Sequence, residues 1–98
     1  MKTFLVLYSQ KRSDIFNEDL LNNHVDFLKQ LYLNNQLSMC GPFVDNKGAV
    51  LVVMAPSITN AEEIINQDPF IQQKYYEQYI IHEFMPANAE NNWLMDSV

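Results

Sequence analysis

The sequence contains one cysteine, two glycines and four prolines in 98 residues, and only six Lys and Arg against twelve Asp and Glu. A single cysteine excludes an intrachain disulfide framework. The net charge of −6 has the wrong sign for a protein that binds phosphate backbones by releasing counterions, so no nucleic-acid partner is expected. No apolar stretch approaches the roughly 20 residues of a membrane span, so no membrane partner is expected either. The opening MKTFLVLYSQKRSD has a lysine and a short apolar run, but the run ends in Gln-Lys-Arg rather than at a small-residue cleavage site. It therefore reads as a strand rather than a signal peptide, and a soluble cytoplasmic protein is the expectation. Asparagine and glutamine are frequent but scattered without period, so they indicate neither a repeat nor a prion-like tract.

What remains is a chain with 48% apolar residues, enough for one compact domain. Thr3 to Tyr8 and Ala49 to Ala55 (AVLVVMA) are continuous apolar runs of strand length. Asn17 to Asn34 reads as a helix capped by Asn17, and Leu37 to Val44 (LSMCGPFV) as a strand. Asp45-Asn46-Lys47-Gly48 has the residues of a hairpin turn. Thr59-Asn60-Ala61-Glu62 fits a capping box for a second helix, which should stop before Pro69. Glu77 to Phe84 makes a last strand, and Ala87 to Val98 is a polar tail apart from Trp93, Leu94 and Met95.

With right-handed crossovers, this order gives an α+β, ferredoxin-like βαββαβ domain over residues 1–86: a four-stranded antiparallel sheet with two helices on one face. The two fully apolar strands leave a second sheet face to cover, with members such as Val6, Val50 or Val52. A homodimer with facing sheets is the expected solution.

Chemistry-bearing side chains are few. On a wheel of about 100° per residue, with Leu20 at zero, His24 falls near 40° between Leu31 near 20° and Leu28 near 80°. His24 thus lies inside the apolar stripe of the first helix, either as a satisfied core residue or facing a cleft. Asp26, two residues on, points away to solvent and cannot pair with it. Asp68, followed by Pro69, suits an N-cap with proline at the first helical position, and a carboxylate there can also orient an imidazole. Cys40 reads as a small hydrophobe more readily than as a nucleophile activated by His24. His82 is in phase with Ile80 and Phe84, on a sheet face or in the cleft. Gly41 fits a bulge or close packing beside a helix. The aromatics Phe4, Tyr8, Phe27, Tyr32, Phe43, Tyr75 and Tyr76 read as core. No metal-ligand spacing such as Cys-x-x-Cys or His-Glu-x-x-His occurs, and no metal or cofactor is expected.

MKTFLVLYS, the helix with NNHVDFLKQL, then SMCGPF, AVLVVMA and AEEIINQDPF resemble, in order and spacing, the YCII-related (YciI-like) proteins. The resemblance covers roughly residues 1 to 86. It implies a dimeric α/β barrel of ferredoxin-like subunits and a site built from a histidine and an aspartate, here His24 and Asp68. The chain departs from the pattern after Phe70, where IQQKYYEQY stands in place of small residues and glycine. Two functions fit. One is general acid-base catalysis by His24 oriented by Asp68, an isomerisation or elimination on a small cyclic or aromatic substrate. The other is a non-catalytic dimeric module that binds a small molecule in a vestigial site.

Overall fold

The computed structural model describes residues 1–96. Strands β1 (Lys2–Lys11), β2 (Leu37–Pro42), β3 (Ala49–Ala55) and β4 (Tyr76–Phe84) form one antiparallel sheet in the order β2-β3-β1-β4. Helix α1 (Glu18–Leu33) joins β1 to β2, and α2 (Ile58–Ile65) with the one-turn α3 (Pro69–Gln72) joins β3 to β4. This is the ferredoxin-like α+β arrangement expected from the sequence. No helix among the described residues is long and apolar enough to cross a membrane.

The sheet face under the helices carries Phe4, Val6 and Tyr8 from β1 and Leu51, Val53 and Ala55 from β3, all buried against Leu20 and Leu31 of α1 and Ala61 and Ile65 of α2. The opposite face carries Leu5, Leu7, Val50 and Val52, half-buried, in the register Leu5↔Val52 and Leu7↔Val50. Val6 therefore belongs to the core and not to the open face where the sequence reading placed it. Every position of β1 from Phe4 to Tyr8 is apolar enough to be buried, so the two-residue period of a strand carries no phase; packing against the helices selects it.

Local chemistry sets the helix starts. The Asn17 side chain accepts from the Leu20 N–H at 2.8 Å, the expected cap of α1. The second cap differs from expectation: Ser57 accepts from the Asn60 N–H at 3.2 Å, and Thr59 lies inside α2. Ser57 still has extended backbone (φ −154°, ψ 167°), which fixes the boundary two residues earlier than the Thr59–Glu62 box would. β2 also ends earlier, at Pro42, because the Phe43 N–H turns to donate to the Gly48 carbonyl and close the hairpin. Within that turn the left-handed residue is Asn46, at φ 64°. Gly48 serves differently: a Cβ there would press on the Tyr8 carbonyl oxygen and lie 3.1 Å from the Phe43 ring. The glycine lets the hairpin close against β1.

Beyond β4, Ala89–Leu94 forms 3-10 turns capped reciprocally by Asn88 and Asn91, with Trp93 exposed. Ser97 and Val98 of the expected tail lie outside the described residues.

Candidate active site

His24 and Asp68 meet. His24 Nδ1 lies 2.7 Å from Asp68 Oδ1, although 44 positions separate them in sequence. α1 and α3 pack side by side, and the imidazole stacks on Phe70 with centroids 3.7 Å apart and planes 7° apart. Asp68 is also the cap expected from its sequence: it ends the turns that follow α2, accepts from the Phe70 N–H at 2.9 Å, and leads into Pro69 at the first position of α3. The cap therefore aims the carboxylate, and the helix it starts supplies the ring that holds the imidazole flat.

Asp68 is wholly buried, and its second oxygen accepts from the Tyr8 hydroxyl at 2.7 Å. The carboxylate thus takes three hydrogen bonds from three elements. Burial, and after it the charge of Asp68, pushes the Tyr8 hydroxyl far above its ordinary range, so Tyr8 acts as a fixed donor. Sequence reasoning assigned Tyr8 only to the core. The available signal was a phenol closing an otherwise aliphatic run, since a buried tyrosine needs a partner for its O–H. Because a carboxylate only accepts, His24 Nδ1 is the donor of this bond, which leaves the lone pair of the neutral imidazole on Nε2.

His24 borders a cavity of about 410 Å³ between α1, the β2-β3 hairpin and the chain following α3. Its side chain is 13% exposed, which answers the choice between core and cleft: it is packed on one side and open to the cavity on the other. Tyr8, Lys11, Phe16, Cys40, Phe70, Tyr75 and Tyr76 also border this space. Cys40 is therefore not the buried hydrophobe of the sequence reading; β2 lies at the sheet edge, leaving the thiol exposed on the cavity wall. Partial burial and then Asp68 push that thiol up, away from the thiolate a nucleophile needs. Burial, Tyr75 and Asp68 likewise push up the Tyr76 hydroxyl. Gly41 neither bulges nor packs closely: the register shift in β2 falls between Leu37 and Met39, and a Cβ on Gly41 would meet nothing within 4 Å. His82 pairs with Leu5 across the sheet and is exposed on the open face, away from the cavity. Asp26 points to solvent as expected. A wider groove of about 650 Å³ at the start of α1 is lined by polar residues such as Asn17, Glu18 and Gln73 and includes neither His24 nor Asp68. No group of three or more His, Cys, Asp or Glu among the described residues is placed to hold a metal ion.

Comparison with known proteins adds three findings. Residues 1–85 match the model of the YCII-related domain. The chain is 37% identical over 71 residues to the uncharacterized protein YjpA of Bacillus subtilis (strain 168), spanning 72% of this chain and 81% of that one. Among solved structures it is similar to 5-chloro-2-hydroxyhydroquinone dehydrochlorinase (TftG) from Burkholderia phenoliruptrix AC1100 in complex with 2,5-dihydroxybenzoquinone. That match has a TM-score of 0.66 at 18% identity and covers 85% of this chain and 93% of that chain.

Proposed function

The chain belongs to the YCII-related domain family, and we propose that it is a small-molecule enzyme in which His24 is the general base and Asp68 its positioning residue. The observation that carries this reading is the 2.7 Å contact between Nδ1 and a buried carboxylate on an imidazole that borders a cavity. Nε2 takes a proton from a carbon of a bound small cyclic or aromatic molecule, and the electron pair left behind either expels a leaving group or shifts a double bond as Nε2 returns the proton to another ring carbon, with Asp68 facing the imidazolium that forms in between. The aromatic walls and a volume of about 410 Å³ suit a single ring. The similar solved structure is that of a dehydrochlorinase, an elimination catalyst, and this supports the elimination arm of the reading.

Two copies pair through the open sheet face as a dimeric barrel in this proposal. Leu5, Leu7, Val50, Val52 and Met54 lie half-buried there, with Met39 and Ile80 exposed beside them. A contiguous apolar surface of this kind marks an association site.

The test is proton chemistry on ring compounds. Hydroxylated and chlorinated hydroquinones are incubated with wild type and His24→Gln in heavy water, and carbon-bound deuterium and released chloride are followed. Exchange or release that falls by roughly 10²–10⁴ in His24→Gln is the expected result. A ring compound that binds tightly in this cavity, yet undergoes neither reaction in any form of the protein, would make it a binding module instead.

A further inference from the structure

Lys11 lies three residues past Tyr8 on β1, a spacing that in an unbroken strand sends two side chains to opposite faces. Both nevertheless border the same cavity. The backbone between them explains it: Gln10 has φ 59°, a left-handed conformation that is unfavourable for any residue with a side chain. The pairing with β4 keeps its register past this residue, Ser9↔Gln78 and Lys11↔Tyr76, so it is the turned backbone at Gln10 that re-aims the side chain after it. The re-aimed ammonium is then held. Lys11 Nζ donates to the Asn46 carbonyl at 3.1 Å and to Asn46 Oδ1 at 2.7 Å, and it stands 5.5 Å from the Tyr75 ring centroid. Both acceptors are neutral. The ion pairs among the described residues engage Lys2, Arg12 and His24, but not Lys11. One N–H and a full positive charge therefore remain at the cavity wall, in a chain of net charge −6.

We propose that Lys11 determines substrate specificity by anchoring an oxyanion carried on a planar ring, a carboxylate or a phenolate. Phe16, Phe70 and Tyr75 flank the ring, and the base on α1 meets its reacting edge. An ammonium beside aromatic walls supplies the counter-charge for the anion while the walls take the faces of the ring. The assignment deepens the general-base reading of this cavity and rests on it.

Calorimetric titration with benzoate and with its neutral counterpart benzamide, on wild type, Lys11→Met and Lys11→Arg, measures the charge preference. A parallel titration with 4-nitrophenol, whose absorbance reports its ionisation, separates phenolate from carboxylate recognition. Lys11→Met should weaken one or both anions by on the order of tenfold while leaving benzamide within about twofold, and Lys11→Arg should retain the anion. Equal losses for benzoate and benzamide would overturn the assignment. So would unchanged anion affinity in Lys11→Met, or failure of both anions to bind wild type at millimolar concentration. Running the same series on His24→Gln separates the two proposals. A Lys11-dependent charge preference without turnover in any form keeps the anchor and removes the enzyme; turnover that needs His24 while Lys11→Met is silent removes the anchor alone.

Discussion

Asp68→Asn isolates what the carboxylate does for His24. The amide keeps the side-chain volume but offers one oxygen and one NH2. Oδ1 faces both the His24 Nδ1–H and the Phe70 N–H, so the amide oxygen belongs at that position and the NH2 meets the Tyr8 hydroxyl. In this orientation the helix cap and the histidine tautomer survive. What is lost is the negative charge, together with the acceptor for the Tyr8 proton. Hydrogen bonds to a charged group contribute about 1.5–3 kcal/mol each and neutral ones about 0.5–1.5, so weakening those to His24 and Phe70 costs about 2 kcal/mol, and an unpaired buried hydroxyl adds about 1–3. Relief from burying a charge offsets part of this, and a net loss of about 2–4 kcal/mol is expected. A domain with about 5–15 kcal/mol of stability remains folded.

Turnover should fall by about 10²–10³, because the imidazolium loses its counter-charge, and should stop short of the roughly 10⁴ that accompanies a forced change of tautomer. Three measurements check this: urea denaturation for stability, ¹⁵N shifts of the imidazole for the tautomer, and turnover at saturating substrate. A folded Asp68→Asn protein with unchanged turnover would reduce Asp68 to a helix cap. A reversed tautomer would show that the Phe70 N–H does not dictate the amide orientation.

Tyr8→Phe tests the third member of the cluster. Tyr8 is held protonated in the folded state but ionises near 10.0 when unfolded, so stability is fully present below that pH and should fall above it by about 1.4 kcal/mol per pH unit. Urea unfolding of both proteins between about pH 9 and pH 11 should show this part of the slope missing in Tyr8→Phe; identical slopes would contradict the buried Tyr8–Asp68 bond. Gly48→Ala drives a methyl against the Tyr8 carbonyl and to 3.1 Å from the Phe43 ring, and should destabilise by about 1–3 kcal/mol in the urea midpoint. An unchanged midpoint would mean that the hairpin has room to spare. Val52→Glu puts a charge at the centre of the open sheet face and should convert a dimer into a monomer in light scattering at micromolar concentration; a monomeric wild type would remove the sheet-to-sheet arrangement.

Much of the positioning frame was legible in the sequence because it rests on short-range rules. The spacing of leucines places His24 inside the stripe of α1, the Asp-Pro pair announces a cap and a new helical turn, and the apolar run Ala49 to Ala55 has the length of the strand it forms. The pairing of His24 with Asp68 is implied by the family resemblance, and the two lie 2.7 Å apart. Features that depend on distant groups were not legible. The exposure of Cys40, next to Gly41-Pro42, follows from the edge position of β2 in the sheet. The cap at Ser57 rather than Thr59 is a separate, local case: two cap-forming residues stand two positions apart, and the backbone is extended at Ser57.

By itself the sequence determined the four strands, the two main helices and the start of α1, and it marked His24 as a polar group on an apolar stripe and Asp68 as a helix cap; it did not show the 3-10 turns at Ser13–Ile15 and Ala89–Leu94. Tertiary structure alone decided the phase of β1, since its continuous apolar run can bury either set of alternate residues. That choice put Val6 in the core and turned Tyr8 toward Asp68. It alone also brought Lys11 to the same cavity, because a left-handed residue within a polar stretch has no sequence signature when it is glutamine rather than glycine.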